Sequence, residues 1–333
     1  MLKTSISNLV LSKVDINKLK TILGETPVLK IFYKIGSQAL IDYKFPTHLF
    51  IEVTRACNLR CQSCPRDLSS VKIGNMEFEL LKKIIDEAAS FGPRNFCLHM
   101  FGEPLLHPQV VDMAKYIKTS NINNSILLTT NGYFLDDKKA MGLLEAGVDK
   151  IVVSFFSLKK HRSEILTGDS NIEKVVNNLK NAAELKKMMH AKTRLFIRFL
   201  MCMENKDEEQ DFCKLAKSIG IPLEIRKTHN YSGIIENDYA SKFAIKNRYP
   251  CYHLWFSPAI TWDGKVLLCC NDWNYFEVLG DINKESLSHI WQGDRLRELR
   301  RFHLKGTYNR IPLCERCNVW TLYPDIFFGV QKK

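Results

Sequence analysis

Short apolar runs alternate with longer segments of helical periodicity along the middle of the chain. After the first run, for example, Phe78, Leu81 and Ile85 recur at the spacing of one helix face. Six runs predict strands, at Leu49–Val53, Phe96–Phe101, Ser125–Thr130, Lys150–Phe155, Thr193–Leu200 and Leu223–Lys227. Helices are predicted between them, at 79–91, 108–119, 136–146, 171–190 and 207–219. This regular alternation predicts an α/β fold with a parallel sheet and right-handed crossovers.

Residues 1–46 precede this alternation, and their apolar residues recur at helical spacing with breaks near Gly24 and Pro27. We expect this segment to form a helical cap on the domain that follows. The lysines beside its apolar residues leave a second interpretation open, in which the segment lies on a membrane surface.

The pattern changes again after residue 235. The dipeptide Asp263-Gly264 stands between the apolar runs Phe256–Ile260 and Lys265–Leu268, which predicts a β-hairpin closed by a tight turn. The periodicity of Leu287–His303 predicts a helix. The chain is therefore predicted to have three parts, namely a helical cap at 1–46, an α/β domain at 47–235 and a smaller domain at 236–333.

The bulk composition is that of a soluble globular protein of about two domains. The chain has 333 residues, of which 45% are hydrophobic and 25% are charged. No run approaches the ~18 apolar residues of a transmembrane helix. The N-terminus also lacks the apolar core and cleavage site of a secretory signal. We therefore expect a cytoplasmic protein, in a reducing compartment where its eleven cysteines can serve as thiolates.

The net charge of +12 could attract nucleic acid, anionic lipid, a phosphorylated substrate or an acidic protein partner. The most basic segment, 295–305, carries Leu296, Leu299 and Phe302 at helical spacing, which indicates a helix with one solvated face. The chain has no RNA-binding signature with interleaved aromatic residues. We therefore expect no nucleic-acid partner.

Cys57, Cys61 and Cys64 form a C-x3-C-x2-C motif directly after the first predicted strand. Three thiolates in one tight loop can hold three irons of a [4Fe–4S] cluster and leave the fourth iron open for a substrate or cofactor. A structural zinc site would usually need a nearby fourth Cys or His, and the nearest histidines are His48 and His99. Disulfides are disfavoured, because three cysteines leave one unpaired and no signal peptide precedes them.

This loop resembles the cluster loop of the radical S-adenosylmethionine (SAM) enzymes. The resemblance implies a TIM-like partial (β/α)6 barrel with a SAM-binding [4Fe–4S] cluster on Cys57, Cys61 and Cys64. In that family the open iron chelates the amino and carboxylate groups of SAM, and an electron from the cluster splits SAM to methionine and a 5′-deoxyadenosyl radical. Many members carry an aromatic residue before the third cysteine, whereas this chain has Ser63 there.

Other strand ends resemble SAM-binding positions of the same family. Gly102 and Glu103 look like the family's GGE motif, which binds the SAM amino group, although Phe101 replaces the first glycine. Asn131 follows the third predicted strand and Ser154 ends the fourth. Both resemble positions that hydrogen-bond the ribose or methionine part of SAM. Each of these features is also compatible with ordinary turn chemistry.

Strand parity directs Arg198 to the inside of the predicted barrel. Neighbours on a strand point to opposite faces, and Leu195, Ile197 and Phe199 form the apolar set that should face the helices. A guanidinium in the lumen can hold a carboxylate or a phosphate. We therefore take Arg198 as the candidate catalytic residue, which would position a substrate hydroxyl. The alternative is an Arg–Glu pair with Glu224 that holds the barrel together.

The C-terminal part carries a second group of cysteines. Cys251 and Cys269 are joined by C-x12-G-x4-C spacing, and Cys314 and Cys317 form a C-x2-C pair. Four thiolates can fully ligate one iron–sulfur cluster or one zinc ion. The spacing resembles the SPASM/twitch extensions of radical SAM enzymes, and the lack of cysteines after Cys317 implies the shorter twitch form with one auxiliary [4Fe–4S] cluster. Cys270 could replace Cys269 as a ligand.

The resemblance covers about residues 47–320 and implies that a hydrogen atom is abstracted from a substrate carbon. The cysteine arrangement resembles twitch-type alcohol dehydrogenases of aminocyclitol antibiotic pathways. We therefore expect a small-molecule substrate, a sugar or cyclitol, either free or nucleotide-linked, whose secondary alcohol is oxidised, with the auxiliary cluster accepting the electron. An acidic flavodoxin or ferredoxin is the expected electron donor. Two alternatives stay open, a peptide- or protein-modifying SPASM maturase and a non-catalytic metal-binding scaffold.

Overall fold

The computed structural model describes residues 44–235, 248 and 250–321. The strands in these ranges are β1 His48–Ile51, β2 Asn95–Cys97, β3 Ser125–Thr130, β4 Lys150–Phe155, β5 Arg194–Met201, β6 Leu223–Lys227, β7 Ala259–Ile260, β8 Lys265–Leu267 and β9 Val278–Asp281. They form a single sheet in the order β6-β5-β4-β3-β2-β1-β7-β8-β9. All neighbouring pairs from β1 to β6 are parallel, as the alternating pattern predicted.

Helices connect the parallel strands and cover one face of the sheet. They are α1 Phe78–Ala89, α2 Val110–Ser120, α3 Asp137–Glu145, α4 Lys160–Thr167, α5 Ile172–Met188 and α6 Glu209–Ile219. On β5, Leu195, Ile197 and Phe199 are buried in the core between sheet and helices, and Phe199 stacks on Phe212 of α6 at 4.2 Å. This confirms the predicted parity of β5.

The C-terminal strands extend the same sheet. Strand β7 pairs in parallel with β1, and β7 and β8 form the predicted antiparallel hairpin, whose turn holds Gly264 at φ +88°. Strand β9 then pairs with β8. The short helices α7 His253–Phe256, α8 Leu287–Trp291, α9 Asp294–Lys305 and α10 Pro312–Glu315 complete this part. Together with β1 to β6, this gives the predicted partial barrel followed by a hairpin-and-helix extension.

Several predicted boundaries were wrong for identifiable reasons. Helix α4 was not predicted, because its mostly polar sequence has no clear apolar stripe. Its last residue is Thr167, and Gly168 caps it with φ +75°. The predicted helix Leu287–His303 is two helices, separated at Gly293. Strand β2 ends at Cys97, before the predicted Phe101, because the residues after it turn to line a cavity. Strand β9 has only four residues and was missed.

The predicted helical cap at 1–46 falls almost wholly outside the described residues, as does the predicted domain boundary at 235–236. Two hydrophobic clusters are present in the described part. The larger one lies between the barrel strands and their helices. The smaller one surrounds Trp255, Trp291 and Leu299 and includes the cysteines Cys251, Cys269 and Cys314. Among the described residues, no helix combines the length and apolarity needed to cross a membrane.

A buried ion pair joins the barrel to the C-terminal part. Arg55 and Glu52, both almost fully buried, lie 3.1 Å apart. The Arg55 guanidinium also donates to the carbonyl oxygen of Trp273, and the Tyr275 hydroxyl donates to Glu52 at 3.1 Å. Burial raises the pKa of Glu52, and the charge of Arg55 opposes this shift. Removing one member would leave the other charge buried without its partner.

We therefore predict that Glu52→Gln lowers the free energy of unfolding by about 3–5 kcal/mol, since it leaves the Arg55 charge uncompensated. Urea unfolding followed by circular dichroism measures the change. Glu79→Gln is the matched control, because it breaks the Glu79–Lys82 pair, in which the Glu79 side chain is 81% exposed. That variant should change stability by less than about 0.5 kcal/mol. Equal effects of the two substitutions would contradict the structural role of the buried pair.

Candidate active site

A cavity of about 230 Å³ opens at the carboxyl ends of the parallel strands. Sites in parallel sheets lie at this edge, because the loops after neighbouring strands meet there. The candidate cluster ligands Cys57, Cys61 and Cys64 line the cavity. The predicted SAM-contacting positions line it too, at Gly102, Glu103, Asn131 and Ser154. The fold therefore brings these seven sequence-predicted positions around one space.

The three thiols of the loop after β1 are close enough to influence one another's ionisation. Burial raises the pKa of Cys61, and the neighbouring Cys64 and Cys57 thiols raise it further. Burial likewise raises the pKa of Cys57 and Cys64. Three free thiolates are thus disfavoured here, whereas a cationic iron–sulfur core would compensate their charge. The donor set fits a [4Fe–4S] cluster held by three cysteines.

The cysteine loop is held from outside by backbone hydrogen bonds. The amide of Arg60 donates to the carbonyl oxygen of Thr167 at 2.9 Å, and that of Gln62 donates to Leu166 at 3.0 Å. Both acceptors belong to the last turn of α4. Inside the loop, Arg66 donates to the carbonyl oxygen of Leu59 at 2.8 Å. These hydrogen bonds were not predicted from the sequence, because helix α4 was not predicted. The local sign of that helix was Gly168, a residue type that often follows the last residue of a helix.

Gly102 lets the loop after β2 rest directly on the cysteine loop. A Cβ at this position would lie 2.0 Å from the carbonyl oxygen of Thr54, which no side chain tolerates. The next amide, that of Glu103, donates to the carbonyl oxygen of Ala56 at 2.8 Å. Phe101 is buried, and its ring centre lies 5.3 Å from the Arg55 guanidinium carbon. The aromatic residue that replaces the family's first glycine thus contacts the buried ion pair.

Glu103 is buried, and its carboxylate already accepts three hydrogen bonds. The donors are Thr130 Oγ1 at 2.6 Å, the amide of Asn131 at 2.7 Å and the amide of Leu105 at 3.0 Å. Burial raises the pKa of Glu103, and these bonds oppose the shift. A carboxylate has about four acceptor positions. About one acceptor position of Glu103 therefore remains for an external donor such as the SAM ammonium. The three hydrogen bonds within the protein could not be predicted from the sequence.

Asn131 connects the strand ends to the cysteine loop. Its side-chain amide donates to Asn58 Oδ1 at 2.8 Å, and its own Oδ1 accepts from the amide of Tyr133 at 3.0 Å. Ser154 lies at the end of β4 and faces the same cavity. Their contacts with SAM stay predictions.

Arg198 lies near the cavity, but its guanidinium forms an ion pair with Glu224 on the neighbouring strand β6. Its Nε and Nη2 atoms each lie 2.9 Å from Glu224 Oε2, and its Nη1 donates to Thr129 Oγ1 at 3.5 Å. Burial alone would raise the pKa of Glu224, but the charges of Arg198 and Arg226 outweigh it and lower that pKa to about 2. Thr129 lines the cavity. Arg198 therefore supports the wall through Thr129, and its direct contact with a substrate hydroxyl stays a prediction.

Three cysteines of the second group, Cys251, Cys269 and Cys314, lie in the smaller hydrophobic cluster, and the amide of Cys317 donates to the carbonyl oxygen of Cys314 at 3.3 Å. Burial raises the pKa of Cys269 well above its usual value, and Cys270, Cys314, Cys317 and Cys251 raise it further. In the described ranges, no three His, Cys, Asp or Glu side chains converge tightly enough for one metal ion. A four-iron cluster is held by four separate thiolates. The buried thiols of Cys251, Cys269 and Cys314 and the half-buried thiol of Cys317 fit such a cluster chemically.

Arg248 supplies positive charge beside this second group, and sequence reasoning missed it. It is 2% exposed, and its Nη1 donates to the carbonyl oxygen of Cys314. Its guanidinium carbon also lies 4.2 Å from the ring centre of Tyr308. Its charge opposes the burial that raises the pKa of the Cys314 thiol. A buried arginine next to four thiolates would offset part of their negative charge.

Two family models match this chain. The radical SAM superfamily model matches residues 51–233, and the SPASM iron–sulfur cluster-binding domain matches residues 251–318. The chain belongs to the radical SAM superfamily. Its cofactors are SAM, the SAM-binding [4Fe–4S] cluster and an auxiliary [4Fe–4S] cluster in the C-terminal domain.

Related proteins and solved structures match most of the length of this chain. The SAM-dependent 2-deoxy-scyllo-inosamine dehydrogenase of Niallia circulans is 27% identical over 273 residues, which cover 80% of this radical SAM chain and 91% of that protein. A tungsten-containing aldehyde ferredoxin oxidoreductase cofactor-modifying protein of Pyrococcus furiosus is 23% identical over 316 residues, covering 82% and 87%. The structure of BtrN with AdoMet and 2-DOIA has a TM-score of 0.58 at 20% identity and covers 83% of this chain and 94% of that one. Streptococcus suis SuiB bound to its precursor peptide SuiA has a TM-score of 0.63 at 13% identity, covering 80% and 69%.

We predict that Gly102→Ala lowers SAM affinity by roughly tenfold or more, the equivalent of about 1.4 kcal/mol. The added Cβ must push the Glu103 loop away from Thr54. Isothermal titration of the reconstituted enzyme with SAM measures the change. Gly92→Ala is the control, because Gly92 has φ +86° but nothing within 4 Å of an added Cβ. It should cost only backbone strain of about 1–2 kcal/mol in stability. Unchanged SAM affinity in Gly102→Ala would refute the close-approach role.

Proposed function

We propose that this radical SAM enzyme oxidises a secondary alcohol of a sugar or cyclitol to a ketone. The main support is the pairing of two unlike cysteine sites. Three cysteines line the open cavity, and the other four lie outside it, three of them in the smaller hydrophobic cluster, where a fully ligated iron–sulfur cluster would not need to bind substrate. The name of the Niallia circulans relative supports the same reaction class, since that protein is a SAM-dependent dehydrogenase of an aminocyclitol.

When bound, SAM and its cluster would supply a 5′-deoxyadenosyl radical that takes the hydrogen atom from the substrate carbon, and the auxiliary cluster would supply an electron acceptor. The overall change at the substrate is loss of one hydrogen atom, one proton and one electron, which leaves a C=O bond. The protein's part is to hold SAM and substrate in this cavity and to receive the proton.

Each residue in or beside the cavity has a proposed role that follows from its chemistry and from its contacts within the protein. Cys57, Cys61 and Cys64 would hold the SAM-binding cluster, with Gly102 keeping the second loop close to it. Glu103 would accept from the SAM ammonium with its remaining acceptor position, and Asn131 and Ser154 would contact the ribose or methionine part. Arg198 would orient the substrate hydroxyl through Thr129 or directly.

The electron donor and the compartment are part of the same proposal. The net charge of +12 favours association with an acidic protein. A flavodoxin or ferredoxin has that character and can deliver single electrons to the SAM-binding cluster. We place the enzyme in the cytoplasm, where such donors and reduced thiols occur.

We predict that Ala at Cys57, Cys61 or Cys64 abolishes reductive cleavage of SAM, because each substitution removes a thiolate ligand of one iron. Formation of 5′-deoxyadenosine by the reconstituted, dithionite-reduced protein is measured by liquid chromatography and mass spectrometry. The triple variant should retain about four irons, held by the C-terminal site. Cys213→Ala is the control, since Cys213 is an exposed thiol on α6. Wild-type cleavage by any of the three single variants would disprove the ligand assignment.

We predict that Cys314→Ala still cleaves SAM but forms no ketone, since it damages only the proposed electron acceptor. The assay uses 2-deoxy-scyllo-inosamine deuterated at the reacting carbon and follows both the ketone and deuterium in 5′-deoxyadenosine. Deuterium should be transferred by the variant as by the wild type. Ketone formation without the auxiliary cluster would exclude its role as acceptor. Wild-type protein that transfers no deuterium from this probe would favour the peptide-modifying alternative.

A further inference from the structure

The segment Thr228–Gly233, directly after β6, separates the cavity from the second group of cysteines. On the cavity side, His229 and Tyr231 line the wall, with ring centres 4.1 Å apart. The Tyr231 ring lies 5.9 Å from that of Phe101 and so closes the gap between β6 and the loop after β2. Tyr231, Ser232 and Gly233 have φ values of +40°, +64° and +89°. Three successive residues of this kind fix a tight and unusual course of the backbone.

The other side of the same segment is attached to the C-x2-C pair. Asn230 Nδ2 donates to the carbonyl oxygen of Arg316 at 2.7 Å, and the amide of Asn230 donates to Asn318 Oδ1 at 3.1 Å. The backbone of Ser232 lies within hydrogen-bonding reach of the Cys317 thiol. A Cβ on Gly233 would lie 2.7 Å from Cβ of Arg316, so only glycine fits. One short segment therefore contacts both candidate cofactor sites.

His229 has one ring nitrogen that the protein leaves without a partner. Its Nε2 atom is buried and has no hydrogen-bond partner, although the ring lines the cavity. The side chain of Asn271 hydrogen-bonds the ring and favours its protonated form. Asn271 Nδ2 donates one of its two hydrogens to Cys270 Sγ at 3.7 Å, and we assign the Asn271 oxygen as the acceptor of Nδ1–H of His229. That tautomer leaves a lone pair on Nε2.

The ring is neutral at physiological pH and can accept a proton. Burial lowers the pKa of His229 to about 4, the Asn271 bond opposes this shift, and the charge of Arg226 adds to it. His253 is the other titratable group whose charge interacts with the ring. The carboxylate partner of Arg226, Glu224, lies on the same strand, β6, and offsets that positive charge.

We propose that His229 is a catalytic residue, whose Nε2 binds the substrate hydroxyl and takes its proton when the alcohol becomes a ketone. This inference rests on the proposed function. With SAM and both clusters bound, the 5′-deoxyadenosyl radical would supply the acceptor of the carbon's hydrogen atom and the auxiliary cluster would supply the acceptor of the remaining electron, while Nε2 of His229 takes the hydroxyl proton and the C–O bond becomes C=O. The proton and the electron would then move toward the same side of the cavity, formed by the segment Thr228–Gly233. Opposite charges are therefore not separated in a site that excludes water.

His99 is the competing imidazole in the cavity, and its surroundings suit the role less well. Its Nδ1 is also buried without a partner. Burial lowers its pKa to about 3, and both Arg198 and Arg226 add to the shift. Two arginine charges oppose protonation of His99 and a hydrogen bond with the Leu127 backbone favours it, whereas His229 faces one arginine charge and has the Asn271 bond in its favour. The geometry also places His229, and not His99, on the segment attached to Cys317.

The test compares His229→Gln with the wild type in the fully reconstituted enzyme. Glutamine keeps a polar side chain of similar reach but cannot take up a proton. The probe is 2-deoxy-scyllo-inosamine deuterated at the reacting carbon. We expect deuterium transfer into 5′-deoxyadenosine and the iron content to stay near wild type, while ketone formation falls by roughly 10²- to 10⁴-fold, the usual contribution of a general base. His289→Gln is the matched control, because the His289 side chain is 78% exposed.

Each outcome decides the proposal. Deuterium transfer without ketone in His229→Gln supports a proton-accepting role, which a merely structural change would not separate from hydrogen abstraction. Ketone formation at the wild-type rate overturns the role of His229 and leaves the proposed function intact. Loss of iron or of SAM binding in His229→Gln, with parallel loss of both products, assigns His229 a structural role and overturns the proposal. A wild-type enzyme that makes no ketone contradicts the proposed function, and the His229 proposal falls with it.

Discussion

Arg55 carries a positive charge, almost fully buried, at the point where three segments of the chain meet. Its partners come from its own loop through Glu52, from the Ser69 hydroxyl at 2.9 Å, and from the carbonyl oxygen of Trp273 in the C-terminal part. Phe101 and Tyr275 each place a ring centre 5.3 Å from its guanidinium carbon. A charge without water must keep its partners, so no segment can move alone. This constraint fixes the C-terminal cysteines relative to the barrel.

The position of the C-terminal part relative to the barrel matters for the candidate site, because the segment Thr228–Gly233 lies between the cavity and the second group of cysteines. Strand β7 pairs directly with β1, the strand that ends in the cysteine loop. At the other end of the barrel, the segment after β6 is hydrogen-bonded to the Cys314–Cys317 pair through Asn230. The C-terminal part thus touches both ends of the curled sheet.

Each group of cysteines has an arginine nearby whose positive charge favours the thiolate form. Burial disfavours thiolates at both groups of cysteines, and arginines oppose that effect in each. Arg66 acts on Cys57 and Cys64, and Arg248 acts on Cys314 and Cys317. The histidines of the cavity are instead held neutral by burial. Positive charge therefore lies beside both groups of cysteines, whereas the cavity imidazoles are uncharged and can accept protons.

The sequence by itself determined the order of the six parallel strands, the hairpin after them and the two groups of cysteines, because these follow from local periodicity and spacing. It also indicated Gly102 and Arg198, whose positions follow from a motif and from strand parity. Only the tertiary structure decided that β7 joins the barrel sheet, that α4 supports the cysteine loop, and that Arg198 is paired with Glu224. It alone brought His229 next to Asn271. These contacts join residues far apart in the chain, so no local pattern encodes them, and their energy comes from burial that exists only once the chain has folded.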